Sequence, residues 1–323
     1  MLILGIETSC DETSVALVAN GQKVLEHIVS SQIKLHSRFS GIVPEIASRA
    51  HLESINLMLE DVLRKKYYRN KIDAVAVTHE PGLIGSILIG LITAEVISYV
   101  LNLPLIKVNH LEGHIFSSFI GSKLPSFPFI SLVVSGGHTD LTLVKGFGRY
   151  EIIGRTRDDA CGEAYDKVAR VLGFGYPGGP IIDALYKKSN PDEFPLPRIV
   201  MPESFDFSFS GLKTAVLYKM RELAGSKKEK PKNVPLFVRK NIAASFQKSA
   251  VNILVKKVLR AAKVYNVNSI VLGGGVSANE HLRNELINES KSKNIELFLP
   301  EKKYCTDNAA MIASVAYYKW KYT

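Results

Sequence analysis

Cysteine is scarce in this chain: three thiols among 323 residues, at Cys10, Cys161 and Cys305, with no CxxC pair. So few and so widely spaced, they argue against a disulfide framework or a thiolate zinc site, and they fit a reducing, cytoplasmic compartment. A basic leader is missing too. The apolar start Met1–Ile6 runs straight into Glu7 and Asp11, which reads as a buried strand rather than a signal peptide. The one long apolar run, from Gly82 to Leu103, is broken by Thr93, Glu95, Ser98 and Asn102. A span needs about 20 predominantly apolar residues, so a buried or partner-facing helix is expected and no membrane partner. Acidic residues are in deficit, 31 against 41 lysines and arginines, for a net charge of +10. The isoelectric point is about 9.3, and such a balance favours a polyanionic partner such as nucleic acid. The hydrophobic content of 46% and charged content of 22% are those of a globular protein long enough for two lobes, each with its own core.

What is present centres on His110-Leu111-Glu112-Gly113-His114, after the strand-like run Leu105–Val108. Two imidazoles four residues apart lie one helical turn from each other on the same face, so both can reach one cation. A third ligand is required, and Asp307, in the polar step Cys305-Thr306-Asp307-Asn308 before the apolar run Ala309–Ala316, is the expected donor. Zinc peptidases also use paired histidines, but their base directly follows the first. Glu112 stands two places on, about 200° round the helix.

In chain order, residues 2–6 predict a strand, Glu7–Thr13 a turn, and Ser14–Ala19 and Lys23–Ser30 two strands joined by the type I′ hairpin signal Asn20-Gly21. The turn is rich in hydroxyls and carboxylates, like the first phosphate loop of the actin, hsp70 and sugar-kinase superfamily. A helix is predicted from Ile46 to about Arg64, with His51 on it in a structural or surface role, and a buried strand over Ile72–Thr78. The small residues Gly85, Ser86, Gly90 and Ala94 let the next helix pack closely on a sheet or on a partner. Pro125–Pro128 marks a lobe boundary. Beyond it, Phe129–Val134, the turn Ser135-Gly136-Gly137-His138-Thr139 and Asp140–Val144 repeat the strand–turn–strand plan of the first lobe, as a duplicated fold does. Backbone N–H groups free of a Cβ suit phosphate contact in the Ser135–Gly137 turn, and Asp166 and Lys167 could bond a ribose or a small polar substrate. The segment Phe205–Lys213 alternates aromatic and polar residues as a half-buried strand does. From Lys213 to Lys263 the chain is strongly basic, with a flexible loop expected around Ser226–Pro235, and such density suits phosphate contact. Finally, the Gly273-Gly274-Gly275 turn between a strand and the helix from Glu280 places donors at an anion. It is neither GxGxxG in a Rossmann unit nor a Walker loop.

The stretches GIETSCDET, HLEGH, VVSGGHT, YPGGP, FSFSGLK, GGGVSAN and CTDNAAMIA together resemble the bacterial TsaD branch of the tRNA N6-adenosine threonylcarbamoyltransferase family, from Leu4 to about Ala316. The resemblance implies an α/β, duplicated actin-like fold (ASKHA, ribonuclease-H-like) with nucleotide and metal in the interlobe cleft. It sets residues 1–127 plus 304–323 in an N-terminal lobe and 128–303 in a C-terminal lobe. It implies an acyltransferase that moves threonylcarbamoyl from threonylcarbamoyl-AMP to N6 of the adenosine 3′ of the anticodon in tRNAs reading ANN codons, forming t6A and releasing AMP. His110, His114 and Asp307 would hold one divalent metal, Fe2+ or Zn2+. Val133, Val134, Ser135, Gly136, Gly137, Asp166, Gly179, Asp183 and Asn279 would hold the adenylate, and Asp11 or Glu12 would orient or deprotonate the amine. The implied partners are tRNA, a TsaB-type paralogue on the first lobe's helices, a TsaE-type ATPase and a TsaC-type synthase that supplies the adenylate. The chain departs at Leu111, where Met is common, at Glu80, where a small residue often stands before Pro-Gly, and in its short C-terminal tail. Two rival readings are a small-molecule kinase of the same superfold and a non-catalytic scaffold whose nucleotide gates a partner.

Overall fold

The computed structural model describes residues 1–39, 41–64, 68, 71–197, 203–225 and 233–322. They divide into two units: Met1–Pro125 with Gly146–Arg149 and Pro300–Thr323, and Ser126–Lys145 with Tyr150–Leu299.

The first unit carries strands β1 (Leu2–Glu7), β2 (Glu12–Ala19), β3 (Lys23–Ser31), β4 (Ala74–Glu80) and β5 (Leu105–Asn109) in the order β3-β2-β1-β4-β5. β1 is antiparallel to β2 and parallel to β4. Asn20 and Gly21 both take positive φ, 51° and 70°, as the type I′ signal requires. The helices are α1 (Ile33–His36), α2 (Pro44–Leu63), α3 (Ile84–Leu101), α4 (His110–Phe116) and, closing the chain, α10 (Ala309–Tyr322). Because successive side chains of a strand point to opposite faces, β1 serves two layers. Leu2, Leu4 and Ile6 enter the core shared with Ile55, Met58, Leu59 and Val62 of α2 and Ala94 of α3. Gly5 faces the other way, where an added Cβ would lie 2.3 Å from the Ala309 carbonyl oxygen of α10. Glu7 shares Gly5's parity, and this carries its carboxylate towards α10 and α4.

Helix α3 is seated by its small residues. A Cβ on Gly90 would meet the Thr8 hydroxyl at 2.3 Å, and one on Gly85 the Ser48 hydroxyl of α2 at 2.6 Å. Its outward side is apolar and open, with Ile84, Leu88, Ile92, Val96, Tyr99 and Val100 all exposed. Of the two placements expected for this run, the buried one does not hold: only Ser86, Gly90 and Ala94 are buried. It is the one helix among the described residues long and apolar enough to cross a membrane, by length and composition alone.

The second unit holds β6 (Phe129–Val134), β7 (Thr139–Gly146), β8 (Arg149–Arg155, whose first residue belongs to the first unit), β9 (Ser269–Gly273) and β10 (Glu296–Phe298), in the order β10-β9-β6-β7-β8. Read from β8 this is the strand order of the first unit, and the parallel and antiparallel pairings of β6 match those of β1. The helices are α5 (Cys161–Val171), α6 (Gly178–Tyr186), α7 (Ser210–Ala224), α8 (Leu236–Val264) and α9 (Glu280–Ser292).

One expected strand is absent. In Phe205–Lys213 only Phe207 pairs, in a single bridge with Thr156, and helix α7 begins at Ser210. The cause is Asp158. Its carboxylate accepts from the backbone N–H groups of Phe209 and Ser210 and from the hydroxyls of Ser208 and Ser210, so it caps the helix from a distant part of the chain. Much of the basic stretch is also committed to structure. Lys213 pairs with Asp159 at 2.7 Å, Lys248 with Asp192 at 2.6 Å, and the buried Lys257 donates to the Ser204 carbonyl at 2.6 Å. The loop expected around Ser226–Pro235 lies, over residues 226–232, outside the described residues.

Candidate metal centre

Helix α4 starts where β5 ends. Asn109 caps it by accepting from the Leu111 N–H at 2.9 Å, which fixes the register at which His110 and His114 face inward. Gly113 lets this helix press on α10, since a Cβ there would meet Ile312 at 2.8 Å and Met311 at 3.1 Å. The start of α10 is tied down in turn. The side-chain Oδ1 of Asn308 accepts from the Met311 N–H at 3.0 Å, and the Ser14 hydroxyl of β2 accepts from the Ala309 N–H at 2.9 Å. Asp307, just before this anchored turn, is thereby delivered to the imidazoles.

The outcome is a compact three-residue group. Ligand atoms of His110, His114 and Asp307 all lie within 4.8 Å of one another. Asp307 Oδ1 is 3.4 Å from His110 Nε2 and 3.2 Å from His114 Nε2. His114 is fully buried, yet its Nδ1 finds no hydrogen-bond partner and its Nε2 faces only the Asp307 carboxylate. A buried polar ring short of partners is costly, and a cation that accepts its lone pair removes the cost. Two imidazoles and a carboxylate on three sides are a donor set for a divalent ion, so these residues could hold one. Glu112 takes no part: its carboxylate pairs with Lys319 at 3.4 Å, which disposes of the peptidase reading on geometry as well as on spacing.

The electrostatics agree. Burial works against charge on Asp307, but the two imidazoles more than offset it and hold the carboxyl far below its usual range. Burial likewise opposes charge on His110, yet the carboxylates of Asp307 and Glu7 raise it well above the ordinary histidine value. His114 is pushed down, by burial first. The acidic turn expected between strands is largely buried rather than solvated, with Asp11 9% and Glu12 7% exposed. Glu12 opens β2, and burial, followed by the charges of Asp307 and Asp11, pushes it up to about 10. Asp11 is raised as well, by burial first, while its hydrogen bond with Glu12 works in the opposite direction.

The residues expected to hold the adenylate all belong to the second unit. Val133 and Val134 end β6 and are buried, whereas Gly136 and Gly137 are exposed with nothing within 4 Å of an added Cβ. Gly179 is open in the same way. Asp166 accepts from the Gly178 N–H at 2.7 Å. Asp183 and Asn279 are joined through Gln247, whose amide donates to Asp183 at 2.9 Å and accepts from Asn279 at 2.9 Å. Lys167, considered for a ribose, instead pairs with Asp159 at 2.5 Å and Glu163 at 2.8 Å. Gln247 was not singled out from the sequence, because a lone amide inside a long helix carries no pattern. Glu7 was not separated from its turn, although its parity with Gly5 on β1 points to the metal face.

Comparison with known proteins settles the relationship. The family model for TsaD, tRNA N6-adenosine threonylcarbamoyltransferase, matches residues 23–314. The enzyme of that name from Thermodesulfovibrio yellowstonii is 52% identical over 323 residues, covering 99% of this chain and 95% of the relative. That from Dictyoglomus turgidum is 48% identical over 322 residues, with 99% and 94% covered. Among solved structures, HypF from T. kodakarensis superposes with a TM-score of 0.63 at 14% identity, over 99% of this chain and 48% of its own. The (R)-2-hydroxyglutaryl-CoA dehydratase component A of Acidaminococcus fermentans gives 0.55 at 15%, over 99% and 98%. These distant likenesses establish the two-lobe actin-like fold alone. From its near-full-length identity to such relatives, the chain belongs to the TsaD family of tRNA N6-adenosine threonylcarbamoyltransferases.

Proposed function

We propose that this enzyme transfers the threonylcarbamoyl group from threonylcarbamoyl-AMP to N6 of the adenosine immediately 3′ of the anticodon, in tRNAs reading ANN codons, giving t6A and AMP. The observation that carries the proposal is the convergence of His110, His114 and Asp307 on one point in a chain of this family. With two imidazoles and one carboxylate, the ion is Fe2+ or Zn2+. When bound, it supplies Lewis-acid polarisation and a template for the substrate's oxygens.

The chain's own residues do the rest. The exposed backbone of Gly136 and Gly137 holds the phosphate, since neither carries a side chain, and Ser135, whose N–H donates to the His138 carbonyl at 2.8 Å, braces the turn beside them. Val133, Val134, Asp166, Gly179, Asp183 and Asn279 complete the adenylate site, and Gln247 fixes the orientation of the last two. In the transfer, the N6–carbon bond forms as the carbon–oxygen bond to AMP breaks, and N6 sheds a proton. A carboxyl pushed up to about 10 is protonated at neutral pH. Burial raises Asp11 as well, so the pair holds a proton, and Asp11 or Glu12 orients the amine and takes its proton.

tRNA is the substrate class of this family, and the net charge of +10 suits it. The open apolar side of α3 suits a TsaB-type partner. A TsaE-type ATPase and a TsaC-type synthase complete the set, in a cytoplasmic setting consistent with three free thiols. The test is mass spectrometry of tRNA nucleosides after incubation with threonine, bicarbonate, ATP and these partners, in parallel with purified threonylcarbamoyl-AMP. Wild type yields t6A. A His114→Ala protein that still assembles yet transfers at the wild-type rate removes the metal from the reaction, and absence of t6A from both wild-type reactions overturns the function.

A further inference from the structure

We propose that Glu7 is the positioning residue of the metal centre: its carboxylate holds the Nδ1–H of His110 and so turns the Nε2 lone pair towards the cation. The inference rests on the reading of His110, His114 and Asp307 as ligands and adds a residue to it. Glu7 is fully buried and is held on both oxygens. Oε1 accepts from the Ser9 N–H at 2.5 Å, Oε2 accepts from the Thr78 hydroxyl at 2.6 Å, and Oε2 lies 3.1 Å from His110 Nδ1. An ionised carboxylate only accepts, so a proton sits on Nδ1, and in the neutral ring that would bind a cation Nε2, on the Asp307 side, keeps its lone pair. The Ser9 hydroxyl, 3.1 Å from the same Nδ1, closes the other side of this pocket.

Charge gives a second, independent reason. A divalent ion on two neutral imidazoles and Asp307 leaves one net positive charge in a buried site. The carboxylate of Glu7 brings that sum to zero without occupying a coordination position. His114 has no such support behind it, as its Nδ1 finds no hydrogen-bond partner. The site is therefore asymmetric: a carboxylate stands behind the Nδ1 of His110, and none stands behind that of His114. A carboxylate behind a ligating histidine fixes its tautomer and raises its basicity, and losing such a group costs about 10- to 100-fold in metal affinity.

The experiment measures Zn2+ affinity by competition with a chromophoric chelator for the whole chain, for Glu7→Gln and for His114→Ala, and records 15N spectra of histidine-labelled, zinc-loaded wild type, with His110 assigned by its loss in His110→Gln. We expect Glu7→Gln to bind Zn2+ about 10- to 100-fold more weakly, His114→Ala to lose more, and His110 to carry its proton on Nδ1. Wild-type affinity in Glu7→Gln with binding lost in His114→Ala overturns the role of Glu7 alone. Wild-type affinity in both overturns the metal reading beneath it. A proton on Nε2 of His110 in the wild type overturns the proposal even if Glu7→Gln does not fold.

Discussion

His51 offers the sharpest test of how the acidic turn is held. It sits on α2, fully buried. Its Nε2 is 3.0 Å from the Cys10 carbonyl, which can only accept, so Nε2 carries the proton and Nδ1 accepts from the Thr13 hydroxyl at 2.7 Å. These bonds fix the backbone on either side of Asp11 and Glu12. In His51→Leu the Cys10 carbonyl loses its partner, an error worth about 1–3 kcal/mol when buried. The Thr13 hydroxyl keeps Ser54 at 3.0 Å, and Gln32, whose Nε2 lies 3.4 Å from His51 Nδ1, keeps the Ala47 carbonyl at 3.3 Å, so the loss stays near the middle of that range, about 2 kcal/mol. Trp320 is the sole tryptophan and lies in α10 of the first unit, so its fluorescence reports the right transition. At a urea slope of about 2 kcal/mol/M the midpoint falls by about 1 M. Burial lowers the His51 pKa, with His36 pushing the same way and the Cys10 carbonyl, Glu7 and Asp11 opposing. With the folded pKa below the unfolded value of about 6.5, the unfolded chain takes up the proton first. The stabilisation is then complete above about pH 6.5 and is lost as pH falls through the folded value. The gap between wild type and His51→Leu should thus be full at pH 8 and narrow towards pH 5. Equal midpoints at pH 8, or a gap that widens in acid, would refute the assignment of the bonds.

Gly5→Ala drives a Cβ to 2.3 Å from the Ala309 carbonyl oxygen, so we expect about 3 kcal/mol lost in the Trp320 urea transition, and weaker Zn2+ binding because α10 carries Asp307 with it. Gly137→Ala meets nothing within 4 Å: the melting temperature should hold, while KM for the adenylate rises and kcat changes less. Ile92→Asp, on the exposed side of α3, should leave the fold intact and abolish capture of a TsaB-type partner in a pull-down. Thr8→Val removes the hydroxyl that donates to the Ser86 carbonyl at 2.8 Å; partner capture should persist, and the activity gained from the partner should drop severalfold in the nucleoside assay.

Local pattern accounts for what was legible. Both hairpins, the strand pairs on either side of a polar turn and the His110–His114 spacing are set by neighbours in sequence, and each lies where periodicity put it. The duplication was legible for the same reason, because each copy repeats strand, turn and strand. What escaped depends on residues brought from afar. Asp158 caps α7 from some fifty positions away, so an alternating segment that reads as strand becomes a helix start. Gln247 matters only because α8 carries it between Asp183 and Asn279. Glu12 reads as a turn carboxylate until β2 and its neighbours desolvate it.

Ser9 ties the start of α3 to the residues around His110. Its N–H donates to Glu7, its hydroxyl faces His110, and its carbonyl accepts from the Leu83 N–H at 2.8 Å, at the start of α3. Gly82 and Gly90 carry no side chain where α3 lies against Ser9 and Thr8, since a Cβ on either would sit within 2.5 Å of one of them. The inner side of α3 is thus bonded to the residues beside the metal group, while its outer side presents unpaired apolar surface to water. Covering that surface favours whichever helix position the partner fits. Close packing and short hydrogen bonds leave no slack between the helix and the turn. Ser9 thus bonds to the chain leading into α3 through its carbonyl and lies 3.1 Å from His110 Nδ1 through its hydroxyl, so one buried residue joins the helix to the turn at the metal group.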